Sequence, residues 1–320
     1  IAGKWVVLLT SGYNNSGGKG VLYVLDAYTG SEYFRIYTCT SQAGPTGCSG
    51  SSEKTSGLAR NNTRVKEQVS NKTSTYANGG DLDGNLWRFD LAGKSAFKVA
   101  AVADPITVKP ELALVQNNKV IFFGTGLFLQ ATDRSDSTTR TIYGIKDDLA
   151  ASSGLTDPKT SGALVQQTLS LRSGSTTERT VASPASVDWA TKSGWYVELL
   201  EAGERVNVDP KIQLGTLAVV SNVPDAGSSN MCTAGGHAWL NFLDIKTGSF
   251  VDNSQSNADQ VFGYKINNAL AVGVNVIRLG NGKTMAIATT ADNKHPVTEV
   301  PVPSANLPMK RVSWRELITE

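Results

Sequence analysis

The 320-residue chain holds little from which to build a catalytic or metal centre. It has two histidines, three cysteines and no CxxC pair, so a tetrahedral metal site would have to be gathered from scattered residues. His237, in GGHAW, reads as a surface or packing residue ahead of an apolar run. No GxSxG is present, neither histidine comes with a motif that pairs it to a nucleophile, and GGKG lacks the Walker spacing. Asp133 and Asp136 in QATDRSDSTTR could pair as acid and base, but so polar a segment reads as a solvated loop between strands. Charge is nearly balanced, 30 basic against 28 acidic residues, which gives no electrostatic case for nucleic acid or an anionic membrane. Apolar runs are short: the longest, around Val120 to Leu129, is broken by Gly124 and Gly126, well below the ~18 residues of a membrane span. Helical periodicity is confined to brief candidates at Ser186 to Lys192 and Ser313 to Thr319. The opening IAGKWVVLLT has no initiator Met, charged n-region or cleavage site. The expectation is a fragment or processed product that begins inside a strand.

What the chain does have is many short strands separated by turn residues, 31 glycines among them. Clear runs are Trp5–Leu9, Val21–Leu25, Leu86–Phe89, Val120–Phe123, Trp195–Leu199, Leu217–Val220, Ala238–Leu243 and Thr284–Ala288. Five segments repeat an apolar strand that ends at or near an acidic residue and a turn: LYVLDAYTG, LWRFDLAGK, IYGIKDDLA, WYVELLEAG and LNFLDIKTG. They recur every roughly 45–65 residues, close to the roughly 40–50 of a four-stranded propeller blade lengthened by insertions. A sixth pair, VNVIRL and KTMAIA, turns at Asn281-Gly282. The predicted fold is an all-β propeller with quinoprotein-like blades, five or six of them across residues 1–320, incomplete at its N-terminal side. A large β-sandwich is the runner-up. Trp87, Tyr143, Trp195 and Trp239 recur at strand positions, which suits blade-to-blade packing better than a ligand box. Arg88, between Trp87 and Phe89, should face the other side of its sheet.

Two local features carry chemistry. Cys39 and Cys48 flank a Gly/Pro/Ser loop whose ends can meet. A bridge there would stabilise by about 2.5–3 kcal/mol and imply an oxidising compartment. Cys232 has no evident partner. Asp81, Asp83 and Asn85 match the first, third and fifth positions of a calcium loop, but Leu86 stands where the turn glycine belongs and Ala92 where a bidentate Glu belongs. A hairpin turn is the favoured reading and calcium the alternative.

Longer strings are more specific than the repeat: WVVLLTSGYNNSGGKGVLYVLDAYTG, GGDLDGNLWRFDL, PITVKPEL, VIFFGTGLFL, SVDWATKSGWYVEL, GERVNVDPKIQLGTLAVVSNVP and RVSWREL. In this order they resemble the C-terminal propeller of the PilY/PilC-type pilus-tip family, over essentially the whole chain. The resemblance implies a secreted, non-catalytic adhesin and assembly factor at the tip of a type IV pilus. It supports pilus biogenesis, twitching motility and attachment at the cell surface. Implied partners are minor pilins and a receptor on a host or abiotic surface; the residues themselves lead to the expectation of no nucleic-acid partner, no membrane span and no cofactor, with calcium as the alternative. The family's carboxylate-rich loop ahead of the strand at Leu86 is missing, since no carboxylate lies between Ser70 and Gly80. Competing readings are a quinone-dependent dehydrogenase, which would need a vicinal Cys pair and a calcium-bound quinone, and an outer-membrane assembly propeller. The insertions Thr38 to Tyr76, Gln130 to Thr139, Ala150 to Ser183 and Asp225 to Gly236 are expected to be polar attachment loops. In Met309 to Glu320, Trp314 is expected to close a blade or to dock a partner.

Overall fold

The computed structural model describes residues 3–39, 50, 55–67, 71–225, 235–252 and 260–303. Among the described residues strand accounts for 48% and helix for 2%, so the all-β expectation holds. Two compact units emerge: Ile1–Ile121 with Asp147–Ser161, and Phe122–Lys146 with Gly162–Met309.

The first unit opens with an antiparallel sheet of β1 (Val6–Thr10), β2 (Val21–Asp26) and β3 (Glu32–Tyr37). A four-stranded meander follows: β4 (Asn61–Glu67), β5 (Asn71–Gly80), β6 (Asn85–Asp90) and β7 (Ser95–Ala101). Alternation along the strands gathers Leu22, Val24 and Ile36 of the first sheet with Ala77, Trp87 and Phe89 of the second, and with Leu58, into one buried cluster. Next, β8 (Glu111–Val115) leads into β9 (Asn118–Gly124), the strand in which the chain passes to the second unit.

There β10 (Thr141–Lys146) is followed by an excursion. β11 (Leu155–Thr156) lies parallel on β7 in the first unit. β12 (Val165–Gln167) lies parallel on β15 (Gly194–Glu198), which pairs antiparallel with β10. β13 (Leu169–Leu171) and β14 (Glu178–Val181) join a six-stranded sheet with β16 (Lys211–Gln213), β17 (Thr216–Pro224), β18 (Gly236–Asp244) and β19 (Gly263–Ile266). The last sheet is β20 (Ala271–Arg278), β21 (Thr284–Thr290) and β22 (Val297–Glu299). Its Val274 and Ala286 pack on Ala218, Val220, Leu240 and Phe242. The described residues form five sheets.

The repeat has a local cause. Asp26 Oδ1 accepts the backbone N–H groups of Tyr28 and Thr29, Asp90 Oδ1 those of Ala92 and Gly93, and Asp244 Oδ1 those of Lys246 and Thr247. Each turn leaves through a left-handed residue four places on: Gly30 (φ 73°), Lys94 (φ 50°) and Gly248 (φ 75°). The predicted Asn281-Gly282 hairpin is present, with Gly282 at φ 87° donating its N–H to Leu279 O at 3.0 Å.

Two expectations are corrected. Ser186 to Lys192 is not a helix: Asp188 closes one turn, accepting Lys192 N–H at its carbonyl (2.8 Å) and Ala190 N–H at its carboxylate (3.0 Å), and the chain then extends. Thr38 to Tyr76 and Ala150 to Ser183 are not only loops: the first supplies β4 and part of β5, and the second supplies β11, β12, β13 and β14 as short strands toward the sheet edges. Such short, polar strands carry no period of their own and take their pairing from strands distant in the sequence. The candidate helix at Ser313 to Thr319 lies outside the described residues.

Candidate functional site

Asp81, Asp83 and Asn85 come together in the turn from β5 to β6, with Asp81 as its hub. The Asp81 side chain is fully buried. Its Oδ1 accepts the N–H of Asp83 (3.0 Å) and of Asn85 (2.9 Å), and its Oδ2 accepts the Asn85 amide (2.9 Å) and the Trp87 indole N–H (2.8 Å). Gly84, at φ 79°, lies so close to Asp104 that a Cβ there would meet its backbone N and O at 2.7 Å. Asn85 thus turns its donors, not its oxygen, toward Asp81, and both Asp81 oxygens are engaged by N–H groups. A calcium ion needs carboxylate and carbonyl oxygens converging on one point. Among the described residues no group of three or more His, Cys, Asp or Glu could hold a metal.

Cys39 is buried and disulfide-bonded. Cys48, Cys232 and Trp314 lie outside the described residues.

The aromatic anchors Trp87, Tyr143, Trp195 and Trp239 are all buried. Trp195 donates its indole N–H to Ile245 O at 3.0 Å, and Trp239 to Glu201 Oε1 at 2.6 Å. Asp133 departs from the solvated-loop expectation. It is buried, and its Oδ2 accepts the N–H groups of Leu129 (2.7 Å) and Gln130 (3.0 Å), starting the short 3-10 turn Ala131–Ser135. The fully buried Arg205 braces this loop, donating to the carbonyls of Leu127, Asp133 and Asp136. Asp136 itself pairs with Arg140, so Asp133 and Asp136 serve separate structural ends.

Three ionic clusters escaped the sequence reading. In the first unit Asp147, on the segment after β10, has a fully buried side chain between Arg88 Nη1 (2.5 Å) and Arg64 Nη2 (3.4 Å). Arg88 does face away from Trp87, but into this buried pair. Burial pushes the Arg64 guanidinium below its usual value, against the pull of Asp147.

In the second unit β14 carries Arg179 into the interior. There Nη1 and Nη2 meet the two Glu204 oxygens at 3.0 and 2.6 Å, and Nε donates to Asn241 Oδ1 at 2.9 Å. Ser221 donates to Glu204 and accepts from Asn241, and the guanidinium lies 4.2 Å from the Trp239 ring centre. Gly263 is required beside it, since a Cβ there would meet Asn241 Oδ1 at 2.4 Å.

The third cluster is half-exposed. Glu201 accepts from Trp239 and lies 2.9 Å from His237 Nε2 and 4.0 Å from Lys265 Nζ. The His237 bond, with help from Trp239 and the Lys265 charge and against partial burial, holds its carboxyl at about 2. His237 and Lys265 border a cleft of about 680 Å³ with Asp225, Asn267 and Asn268. A second cleft of about 490 Å³, lined by Tyr264, Ile266, Lys265, His295 and Pro296, lies along the same strand. These clefts offer cationic, amide and aromatic contacts suited to recognition.

The family model described as the PilY1 beta-propeller domain matches residues 1–98 and 93–182. Type IV pilus biogenesis factor PilY1 of Pseudomonas aeruginosa is 31% identical over 297 residues, which cover 77% of this chain and 24% of that protein. A PilY1 homolog of Xylella fastidiosa is 27% identical over 340 residues, 99% of this chain and 26% of that protein. The chain thus spans about a quarter of the length of these relatives. The crystal structure of the Pseudomonas aeruginosa PilY1 C-terminal domain matches with a TM-score of 0.70 at 22% identity, covering 94% of this chain and 70% of that one. The sheets are blades of a β-propeller.

Proposed function

This chain belongs to the PilY1 β-propeller family, and we propose from that premise that it is the binding and scaffold module of a type IV pilus biogenesis factor. The observation that carries the reading is the family match across residues 1–98 and 93–182, joined by 31% identity to a protein named for pilus biogenesis. In this reading the longer protein is secreted and works at the pilus tip or cell surface. The propeller engages minor pilins and supports attachment without catalysing a reaction. Apolar side chains and four tryptophans, Trp87, Trp189, Trp195 and Trp239, are committed to the core, while the clefts beside His237 and His295 are open, the first mainly polar and the second mainly apolar, and this supports a role in recognition. Cys39 is assigned Cys48 as its partner, the nearer cysteine across a loop that can close. The dehydrogenase and outer-membrane assembly readings rest on the repeat alone, and no geometric observation favours either.

The test is a chromosomal in-frame deletion of this propeller, scored for surface pili and twitching, with co-purification of minor pilins on the tagged full-length protein. Loss of pili and pilin recovery confined to the intact protein are expected. Normal piliation by the deletion strain overturns the reading.

A further inference from the structure

Charges around Asp147 do not balance. Its carboxylate has no solvent exposure, yet it is shared by two guanidiniums, Arg88 at 2.5 Å and Arg64 at 3.4 Å, whose side chains are 9% and 10% exposed. Arg88 makes a further bond to the Asp148 carbonyl at 3.2 Å. The Asp148 carboxylate is used locally, accepting the Ala150 N–H at 2.9 Å. Arg64 bonds through Nη2 alone, so its Nε and Nη1 meet no acceptor among the described residues. Lys119 of β9 adds a third cation. Its carbonyl accepts the Asp147 N–H at 2.7 Å, which fixes this stretch of chain beside the carboxylate. Burial first, then the Arg64 and Arg88 charges, push the Lys119 ammonium below its usual value against the pull of Asp147. The Tyr76 ring centre lies 5.6 Å from the Arg64 guanidinium and 5.7 Å from that of Arg88. Its face steadies both cations but brings no negative charge. Three positive groups thus gather about one carboxylate, all within the first unit. A buried charge without compensation is costly, and the arginine fork is shaped for the oxygens of a carboxylate or phosphate.

We propose that Arg64 and Lys119, beside the Arg88–Asp147 pair, form a binding site for a small oxyanion, a carboxylate or phosphate group. The charge excess sets the sign of the ligand, and the idle Arg64 donors set its chemistry. Burial sets its size: with nine-tenths of the Arg64 side chain covered, a compact group reaches the guanidinium and a folded partner surface does not. Lys119, only half-buried, is the most open of the three cations and forms the mouth. An oxyanion held between Arg64 on β4 and Lys119 on β9 also ties those two strands together. The inference rests on this charge count and not on the pilus reading, so the two fail separately.

Purified full-length protein is titrated calorimetrically with inorganic phosphate and, separately, with N-acetylglycine, at fixed ionic strength and neutral pH. Saturable binding is expected, weakened at least about tenfold by Lys119→Met and by Arg64→Gln. Binding of phosphate alone assigns the site to a phosphate group, and of N-acetylglycine alone to a carboxylate; either supports the proposal, as does binding of both. Where Arg64→Gln fails to fold, Lys119→Met decides alone. Unfolding supplies a second measure: the bound anion, at about a hundred times its Kd, should shift the wild-type folding equilibrium about a hundredfold, and the same concentration should shift that of Lys119→Met far less. No saturable binding of either anion overturns the proposal. So does binding that a folded variant leaves unchanged, which marks an adventitious ion only.

Discussion

Arg179 and Glu204 face each other with no solvent exposure on either side chain, two guanidinium nitrogens on two carboxylate oxygens. Removing one partner strands a buried charge. Arg179→Met or Glu204→Gln is expected to lose about 3–5 kcal/mol of stability, and the double variant Arg179→Met/Glu204→Met to recover much of it. Urea midpoints of the three variants check this. A single variant within about 1 kcal/mol of wild type would show that the pair is wetter than its geometry implies.

Glu201 gives a pH signature. Its folded carboxyl is held at about 2 by His237, Trp239 and Lys265, below the roughly 4.3 of an unfolded Glu. A depressed carboxyl stabilises the fold above its unfolded value and loses that contribution as pH falls toward the folded one. The stability advantage of wild type over Glu201→Gln should therefore be full at pH 6 and shrink between about pH 4.5 and 2. Denaturant melts at pH 6, 4 and 2.5 read it. An advantage that is constant across that range removes Glu201 as the cause.

Asp81 is expected to act without calcium. Chelation should leave the melting temperature unchanged. Asp81→Ala should cost about 1–3 kcal/mol or more, because it leaves the Trp87 indole and the Asn85 amide without their acceptor. A fall in melting temperature on chelation that Asp83→Ala abolishes would establish a calcium loop instead.

For Cys39, peptide mapping of the unreduced protein should join it to Cys48. Cys39→Ser should cost about 2.5–3 kcal/mol, the value for so short a loop. A Cys39–Cys232 peptide would replace that assignment.

The sequence made some of this legible because its signals are local. Strand alternation and the Asp26, Asp90 and Asp244 turns need only neighbouring residues, and so does the turn at Asp81. Polar composition alone could not distinguish the buried, turn-forming Asp133 from a solvated aspartate. β14 was invisible for a different reason. Its pairing, Glu178 to Tyr264 and Arg179 to Gly263, comes from far along the chain. Arginine is ordinarily an exposed residue, and only Glu204, Ser221 and Asn241 together make its burial tolerable. The clusters around Asp147 and Glu201 likewise join residues that no motif links.

The long reach of β14 also governs the order in which the molecule can be made. On a chain emerging from its N-terminus, residues 169–181 of the β13–β14 hairpin are made well before their partners. Arg179 lacks its carboxylate until Glu204 appears, its amide until Asn241, and a strand on the side away from β13 until Gly263. Throughout that interval the nascent sheet carries an open edge and a solvated cation. A polypeptide halted anywhere between residues 182 and 262 is thus left with an unfinished blade. No cut in that span can separate two self-sufficient pieces.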